Sequence, residues 1–178
     1  MKPVSLYIVI LSCISFLLTG CHNDPPVVVV PQGGNNMKEN MINANKTIAK
    51  SEETSIDEYI ARRGWNMVKL SSGARYWEYE QGNGPKVEYE DSVHIHYNLE
   101  AINGKTIYSD VDEAFVAGRR QKIIGLDDVV LQLHHGSRAR VILPSNLGFG
   151  IGGDGDRITQ SAILVFDIYI KSNSNSVN

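Results

Sequence analysis

Residues 145–156 read SNLGFGIGGDGD, the stretch whose residue types and spacing come nearest to chemistry. Gly148, Gly150 and Gly153 fit G-x-G-x-x-G, in which glycines let backbone N–H groups close on the pyrophosphate of a dinucleotide. Gly152-Gly153-Asp154-Gly155-Asp156 also opens like a calcium-binding nonapeptide repeat, where stacked copies supply the ligands. A second candidate is His94 with His96, two positions apart and so on one face of a strand, where two imidazoles could share a metal ion. Each reading makes a demand on the elements around it.

Those elements are mostly strands. VHIHYNL alternates, with Val93, Ile95, Tyr97 and Leu99 on one face and His94, His96 and Asn98 on the other. Asn103-Gly104 predicts a tight turn into KTIYS, which completes a hairpin. SRARVILP puts Ala139, Val141 and Leu143 on one side; AILVFDIYI alternates too, but its apolar content predicts burial on both faces. Two helices are predicted. Ser55-Ile-Asp-Glu58 is a capping-box pattern opening IDEYIARR, which Gly64 closes. In GLDDVVLQL, Leu126, Val129, Val130 and Leu133 fall at i, i+3, i+4 and i+7; this helix ends near Gly136, with His134 and His135 at its C-terminus, where positive charge is favourable. Many strands, one short amphipathic helix and no βαβ alternation define an antiparallel α+β domain.

That organisation decides between the readings. A dinucleotide turn must open a helix, but the next regular element after Gly153 is the strand AILVFDIYI. The nonapeptide occurs once, and Arg157 follows at once, so neither nucleotide nor calcium is expected at 148–156. His94 and His96 lie opposite the apolar face with no carboxylate or cysteine set, so no metal is expected there. Tyr97 and Phe166, on alternating strands, would be ordinary core residues in any β domain.

The ends of the chain speak to compartment. The chain has 178 residues, a formal net charge of -3, and no basic cluster, which argues against nucleic acid as a partner. An apolar run from Val4 to Leu18 follows Lys2 and has the length of a signal-peptide core rather than of a membrane span. It closes on Leu18-Thr19-Gly20-Cys21, which resembles a bacterial lipobox whose cysteine becomes the lipidated N-terminus. The two cysteines are Cys13, inside the signal, and Cys21, so the mature chain has no disulfide partner. Residues 1–20 are therefore read as a lipoprotein signal peptide and 21–50 as a flexible tether from lipidated Cys21, rich in Asn, Pro, Gly and Lys. Residues 51–83 are a helix–strand extension, 84–171 the main domain, and 172–178 a disordered tail.

From about Gly84 to Ile170 the residues resemble the FKBP-type peptidyl-prolyl isomerases. Seven pieces occur in family order: Val93-His-Ile-His-Tyr97, Gly104-Lys-Thr-Ile-Tyr-Ser109, Phe115-Val-Ala-Gly118, Ile123-Ile-Gly-Leu126, Gly136-Ser-Arg-Ala-Arg-Val141, Leu143-Pro-Ser-Asn-Leu-Gly-Phe-Gly150 and Ala162-Ile-Leu-Val-Phe-Asp167. The preceding helix and ARYWEYE are similar to extensions of lipid-anchored bacterial members. The resemblance implies a bent antiparallel sheet wrapped around the short helix, with the pocket between them and loop 145–156 overhanging it.

The reaction so implied needs neither metal, cofactor nor nucleophile. Twisting an X–Pro bond faces a barrier of about 20 kcal/mol because the amide loses resonance. An apolar pocket that disfavours the planar, well-solvated imide lowers it. By resemblance the catalytic positions are Tyr97, Ile123, Phe149 and Phe166: Tyr97 and Phe166 as walls, and the Ile123 N–H meeting a substrate carbonyl. Ile107, Tyr108, Lys122, Leu126 and Ile158 would bind substrate. Several positions depart from the family. Ile107-Tyr108 stands for Phe-Asp, Leu126 for a frequent Trp, Phe149 for a tyrosine whose hydroxyl bonds the substrate, Thr159-Gln160 for Pro-Pro, and Gly148 for an alanine. The implied partners are proline-containing polypeptides and, through Cys21, the inner or outer membrane of a bacterial envelope, facing periplasm or surface. The alternative is a catalytically weak or inactive FKBP-like binding module in a cell-surface or motility complex. No oligomeric state follows from the residues.

Overall fold

A computed structural model describes residues 34–121 and 123–171 of the protein. The segment expected as a signal peptide, Cys21, the first part of the expected tether, Lys122 and the expected tail lie outside the described residues.

The first element is a helix, α1, Gly34–Arg63. It begins well before Ser55, so the tether is corrected: residues 34–50 are helical. After Gly34 no glycine or proline interrupts the chain until Gly64, and Met, Lys, Glu, Ala and Ile at good helical propensity carry it through. Residues 37–50 are exposed throughout, so no apolar period marks them in the sequence. Ser55 is likewise not a cap. It sits inside α1, its hydroxyl donating to the Ser51 carbonyl at 3.0 Å. Gly64 does end the helix: with φ +65° it donates to Ala61 O (3.2 Å) while Trp65 N–H reaches Ile60 O (3.3 Å), the paired bonds of a Schellman turn.

Six strands follow: β1 (Val68–Lys69), β2 (Arg75–Glu80), β3 (Ser92–Ala101), β4 (Thr106–Val116), β5 (Arg138–Leu143) and β6 (Leu164–Ile170). They form one antiparallel sheet in the order β1-β2-β5-β6-β3-β4. The expected hairpin joins β3 to β4, with Gly104 N–H donating to Ala101 O at 2.8 Å. Its register slips twice. Tyr97 pairs with Val111, Leu99 with Tyr108 and Glu100 with Thr106, so β4 carries an extra residue at each step. Asp110, at φ +61°, sits at the first slip and is held by the Asn98 side chain (2.9 Å). Such bulges bend a strand and re-aim its side chains.

Helix α2 (Ile124–Val130) is shorter than the nine residues expected. Beyond it Gln132 N–H and Leu133 N–H bond the carbonyls three back (2.8 and 3.1 Å), a tighter winding that still brings Leu133 into the core. His134 and His135 therefore do not cap the helix. The His134 Nδ1 lies 3.0 Å from Glu78 Oε1 on β2, and His135 is buried.

Two apolar clusters sandwich the sheet. Leu126, Val129, Val130 and Leu133 pack on Val93, Ile95, Leu99, Val141, Leu143, Phe166 and Ile168 on one face. On the other, Ile56 and Tyr59 of α1, with Ile60, Trp65 and Met67, cover Ile142 and Val165. The double burial read from AILVFDIYI is thus met by a helix on each side. Polar contacts fix the seat of α1. Arg75 is buried on β2 and reaches Asp57 (3.2 Å), while the buried Glu52 accepts the Ser145 N–H (2.9 Å) and hydroxyl (2.6 Å).

Replacing Glu52 by alanine leaves both Ser145 donors buried without an acceptor. Glu52→Ala should therefore cost about 1–3 kcal/mol, seen as a lower urea midpoint at unchanged slope. Glu52→Gln keeps one acceptor and should cost less; equal stability of all three proteins would refute the role.

Candidate functional site

The centre of the α2-side cluster is Phe166. On β6 it lies between Val141 of β5 and Leu99 of β3, and it is fully buried. Tyr97 stands two residues from Leu99 on the same face of β3. Its ring meets Phe166 edge-on, centroids 5.5 Å apart and planes at 62°. Burial pushes the Tyr97 phenol above its ordinary pKa, and the Glu113 carboxylate adds to this. The first turn of α2 contributes Leu126; Ile107, beside the second slip in β4, and Ile158, after the long loop, join the same cluster. Tyr108 and Ile123 pack against it, partly exposed.

The structure thus brings together seven of the residues chosen from the sequence: Tyr97, Phe166, Leu126, Ile107, Ile158, Tyr108 and Ile123. Ile123 precedes α2 in an extended conformation, and its carbonyl accepts the N–H groups of Leu126 (3.0 Å) and Asp127 (3.1 Å). Its own N–H meets no acceptor among the described residues. Phe149 stands apart. It lies between two single turns, Ser145–Leu147 and Gly150–Gly152, is 37% exposed, and is outside the packed cluster. Lys122 lies outside the described residues.

The loop itself is organised around one carboxylate. Asp154 Oδ1 accepts the N–H groups of Asp156 (2.9 Å) and Ile158 (2.7 Å), and Oδ2 accepts the Tyr108 hydroxyl at 2.6 Å. A side chain at Gly153, where φ is +66°, would meet the Ile158 carbonyl at 2.2 Å, so this position admits only glycine. The glycine spacing that suggested a phosphate cradle therefore serves the turn, and Asp154 is spent on internal donors. The Arg157 guanidinium lies 5.3 Å from the Tyr108 ring centroid. His96 sits between carboxylates, Nε2 3.2 Å from Asp110 and Nδ1 3.3 Å from Asp112, while His94 is exposed.

Two residues that matter here escaped the sequence reading. Asp127, buried in the first turn of α2, accepts Gly118 N–H and Arg120 N–H at 2.8 Å each, so it fixes the loop that leads into Ile123. In the sequence Asp154 stands out only as part of a metal-loop pattern. Its partner Tyr108 is 46 positions away, and no local pattern links them.

An antiparallel sheet with one short helix packed on an apolar face that carries a pair of aromatic rings is the architecture of the FKBP class of α+β domains. Residues 84–171 match the family model described as FKBP-type peptidyl-prolyl cis-trans isomerase, and through this domain the chain belongs to that family. Among curated relatives it is similar to the FKBP-type peptidyl-prolyl cis-trans isomerase FkpA of Aeromonas hydrophila. There it is 30% identical over 132 residues, covering 68% of this chain and 49% of the relative. It is also similar to FK506-binding protein 2 of Dictyostelium discoideum, 36% identical over 87 residues, covering 47% of this chain and 65% of the relative. A crystal structure of a peptidyl-prolyl cis-trans isomerase from Pseudomonas syringae pv. tomato superposes with a TM-score of 0.60 at 26% identity, over 71% of this chain and 93% of that one. The chain spans less than two thirds of the length of these curated relatives.

The Tyr108 hydroxyl holds the Asp154 carboxyl down from the usual 3.8 to about 2, and the carboxylate in turn pushes the Tyr108 phenol up from 10.0 to about 12. Both shifts have a defined sign. A depressed acid stabilises the fold above its unfolded value and loses that contribution as pH falls toward about 2; a raised phenol contributes below 10.0 and loses it as pH climbs toward about 12. The carboxyl carbon resonance of Asp154 should therefore titrate near pH 2 and move back toward 3.8 in Tyr108→Phe. An ordinary midpoint in the unaltered protein would sink this assignment.

Proposed function

We propose that the domain isomerises peptidyl-prolyl bonds, and that the chain does so from the bacterial envelope, tethered through lipidated Cys21 to assist the folding of envelope or exported proteins. The observation that carries the catalytic part is the fully buried Phe166 with Tyr97 edge-on at 5.5 Å, enclosed by Leu126, Ile107 and Ile158. Tyr97, Tyr108 and Ile123, partly exposed against this cluster, offer a proline ring apolar surface and withdraw water from the imide. Desolvation favours the twisted amide, whose charge separation is smaller, over either planar isomer. The Ile123 N–H, which meets no acceptor among the described residues, supplies one donor for a substrate carbonyl. The family match and relatives named as isomerases support the reading. The tether rests on the Leu18-Thr19-Gly20-Cys21 pattern alone.

One observation favours the binding-module alternative. Phe149 has no hydroxyl, and that of Tyr108 is committed to Asp154, so neither can help the Ile123 N–H in meeting a substrate. A protease-coupled assay on a proline tetrapeptide separates the two readings. Phe149→Tyr restores a hydroxyl worth about 1 kcal/mol and should raise the rate several-fold. Phe166→Ala should abolish activity, but it also opens a core cavity costing about 3–5 kcal/mol, so circular dichroism must first show a folded domain. No isomerisation by either the unaltered protein or folded Phe149→Tyr would leave the binding-module reading standing.

For the tether, Cys21→Ser should give an uncleaved or soluble form in cell fractionation. Unchanged processing and membrane association in that variant would count against lipidation.

A further inference from the structure

The loop between β5 and β6 has two unlike halves. From Gly153 to Ile158 it closes on the Asp154 carboxylate. Besides the two N–H groups it binds, Asp154 donates its own N–H to Ile158 O at 3.3 Å. This half is fastened to β4 by the Tyr108 hydroxyl, 2.6 Å from Asp154 Oδ2 and 3.4 Å from Asp156 Oδ2, and by Arg157 Nη1 on the Ile107 carbonyl (3.4 Å). The other half, 149–152, is exposed and, among the described residues, is tied by a single bond, Gly150 O accepting the Ser161 N–H at 2.8 Å. Ile151 is 82% exposed and Phe149 37%, and around Gly150 and Gly152 no atom lies within 4 Å of where a side chain would begin.

The fastened half ends in Ile158, a buried member of the pocket cluster whose N–H Asp154 holds. Tyr108 packs on that cluster beside Ile107, at the slip that bends β4. Its hydroxyl is therefore occupied in holding a wall of the pocket. We infer that Tyr108 and Asp154 are positioning residues for the prolyl site: the pair pins the inner half of the loop, and with it Ile158, independently of the exposed outer half that bears Phe149 and Ile151. The inference rests on the isomerase reading and deepens it. A phenol donating to an ionised carboxylate makes a charge-assisted bond, stronger than the neutral contacts elsewhere in the loop.

The test is a double-variant cycle on the folded protein with Tyr108→Phe, Asp154→Ala and both together. Amide hydrogen exchange is followed at Asp156 and Ile158, with kcat and KM on a proline tetrapeptide and the thermal midpoint alongside. Tyr108→Phe should speed exchange at both amides roughly tenfold, the factor for losing one such bond. KM should rise several-fold with kcat little changed, because the wall is displaced before the chemistry is touched. The double variant should match Asp154→Ala, since Tyr108 acts through Asp154. Unchanged exchange in Tyr108→Phe, or effects that add in the double variant, would overturn the pairing. A lowered thermal midpoint at unchanged KM would reduce the pair to a stabiliser of the fold. If the unaltered protein binds or turns over no proline peptide, the isomerase reading fails by itself; exchange coupling that persists then leaves a loop anchor with no prolyl role.

Discussion

Everything else in the structure depends on β6 being buried on both faces. Phe166 points to one side and Val165 to the other, and neither meets solvent. An apolar side chain withdrawn from water is worth about 1.5–3 kcal/mol, and that gain requires a cover on each side of the strand. The short α2 covers the Phe166 side. At the margin of that cover Tyr97, Tyr108 and Ile123 stay partly exposed. The C-terminal part of α1, with Trp65 and Met67, covers the Val165 side, so the extension completes the core of the domain it precedes.

Carboxylates that accept backbone N–H groups recur wherever a loop must hold still. Glu52 pins the turn at Ser145, Asp127 pins Gly118 and Arg120, and Asp154 pins Asp156 and Ile158. A buried carboxylate is costly unless its lone pairs are filled, and each of these receives at least two donors. The loop held by Asp127 leads into Ile123 and the one held by Asp154 ends in the buried Ile158, so charge here keeps members of the apolar cluster in place.

Periodicity made the sheet legible from the sequence and hid α1. Val93, Ile95, Tyr97 and Leu99 announce β3 because one face must be buried and the other need not be. Met37 to Lys50 announce nothing, because a helix exposed on every side imposes no pattern; only Glu52, Ile56, Tyr59 and Ile60, at i, i+4, i+7 and i+8, show a seated face. The capping-box match at Ser55 failed for a related reason: the four residues fit a helix start, but the helix had already begun. The members of the α2-side cluster could be chosen because a resemblance fixed their order along the chain. The Tyr108–Asp154 contact could not, since it depends on two slips of register in β4 that no local rule specifies.

Magnitudes decide which departures from the family matter. A missing hydroxyl at Phe149 forgoes one hydrogen bond of about 1 kcal/mol, a several-fold effect on a rate. Leu126 in place of a larger ring keeps the cluster apolar. Tyr108 in place of an acid removes a charge from the pocket edge, and Asp154 returns one, 46 positions later in the chain and turned toward the loop. For acid–base chemistry such a relocation would be disabling, because a proton must be passed at a fixed atom. Twisting an amide passes no proton. What it needs is a dry surface held in shape, and that depends on Phe166, Tyr97 and the groups that brace them more than on any hydroxyl the pocket has lost.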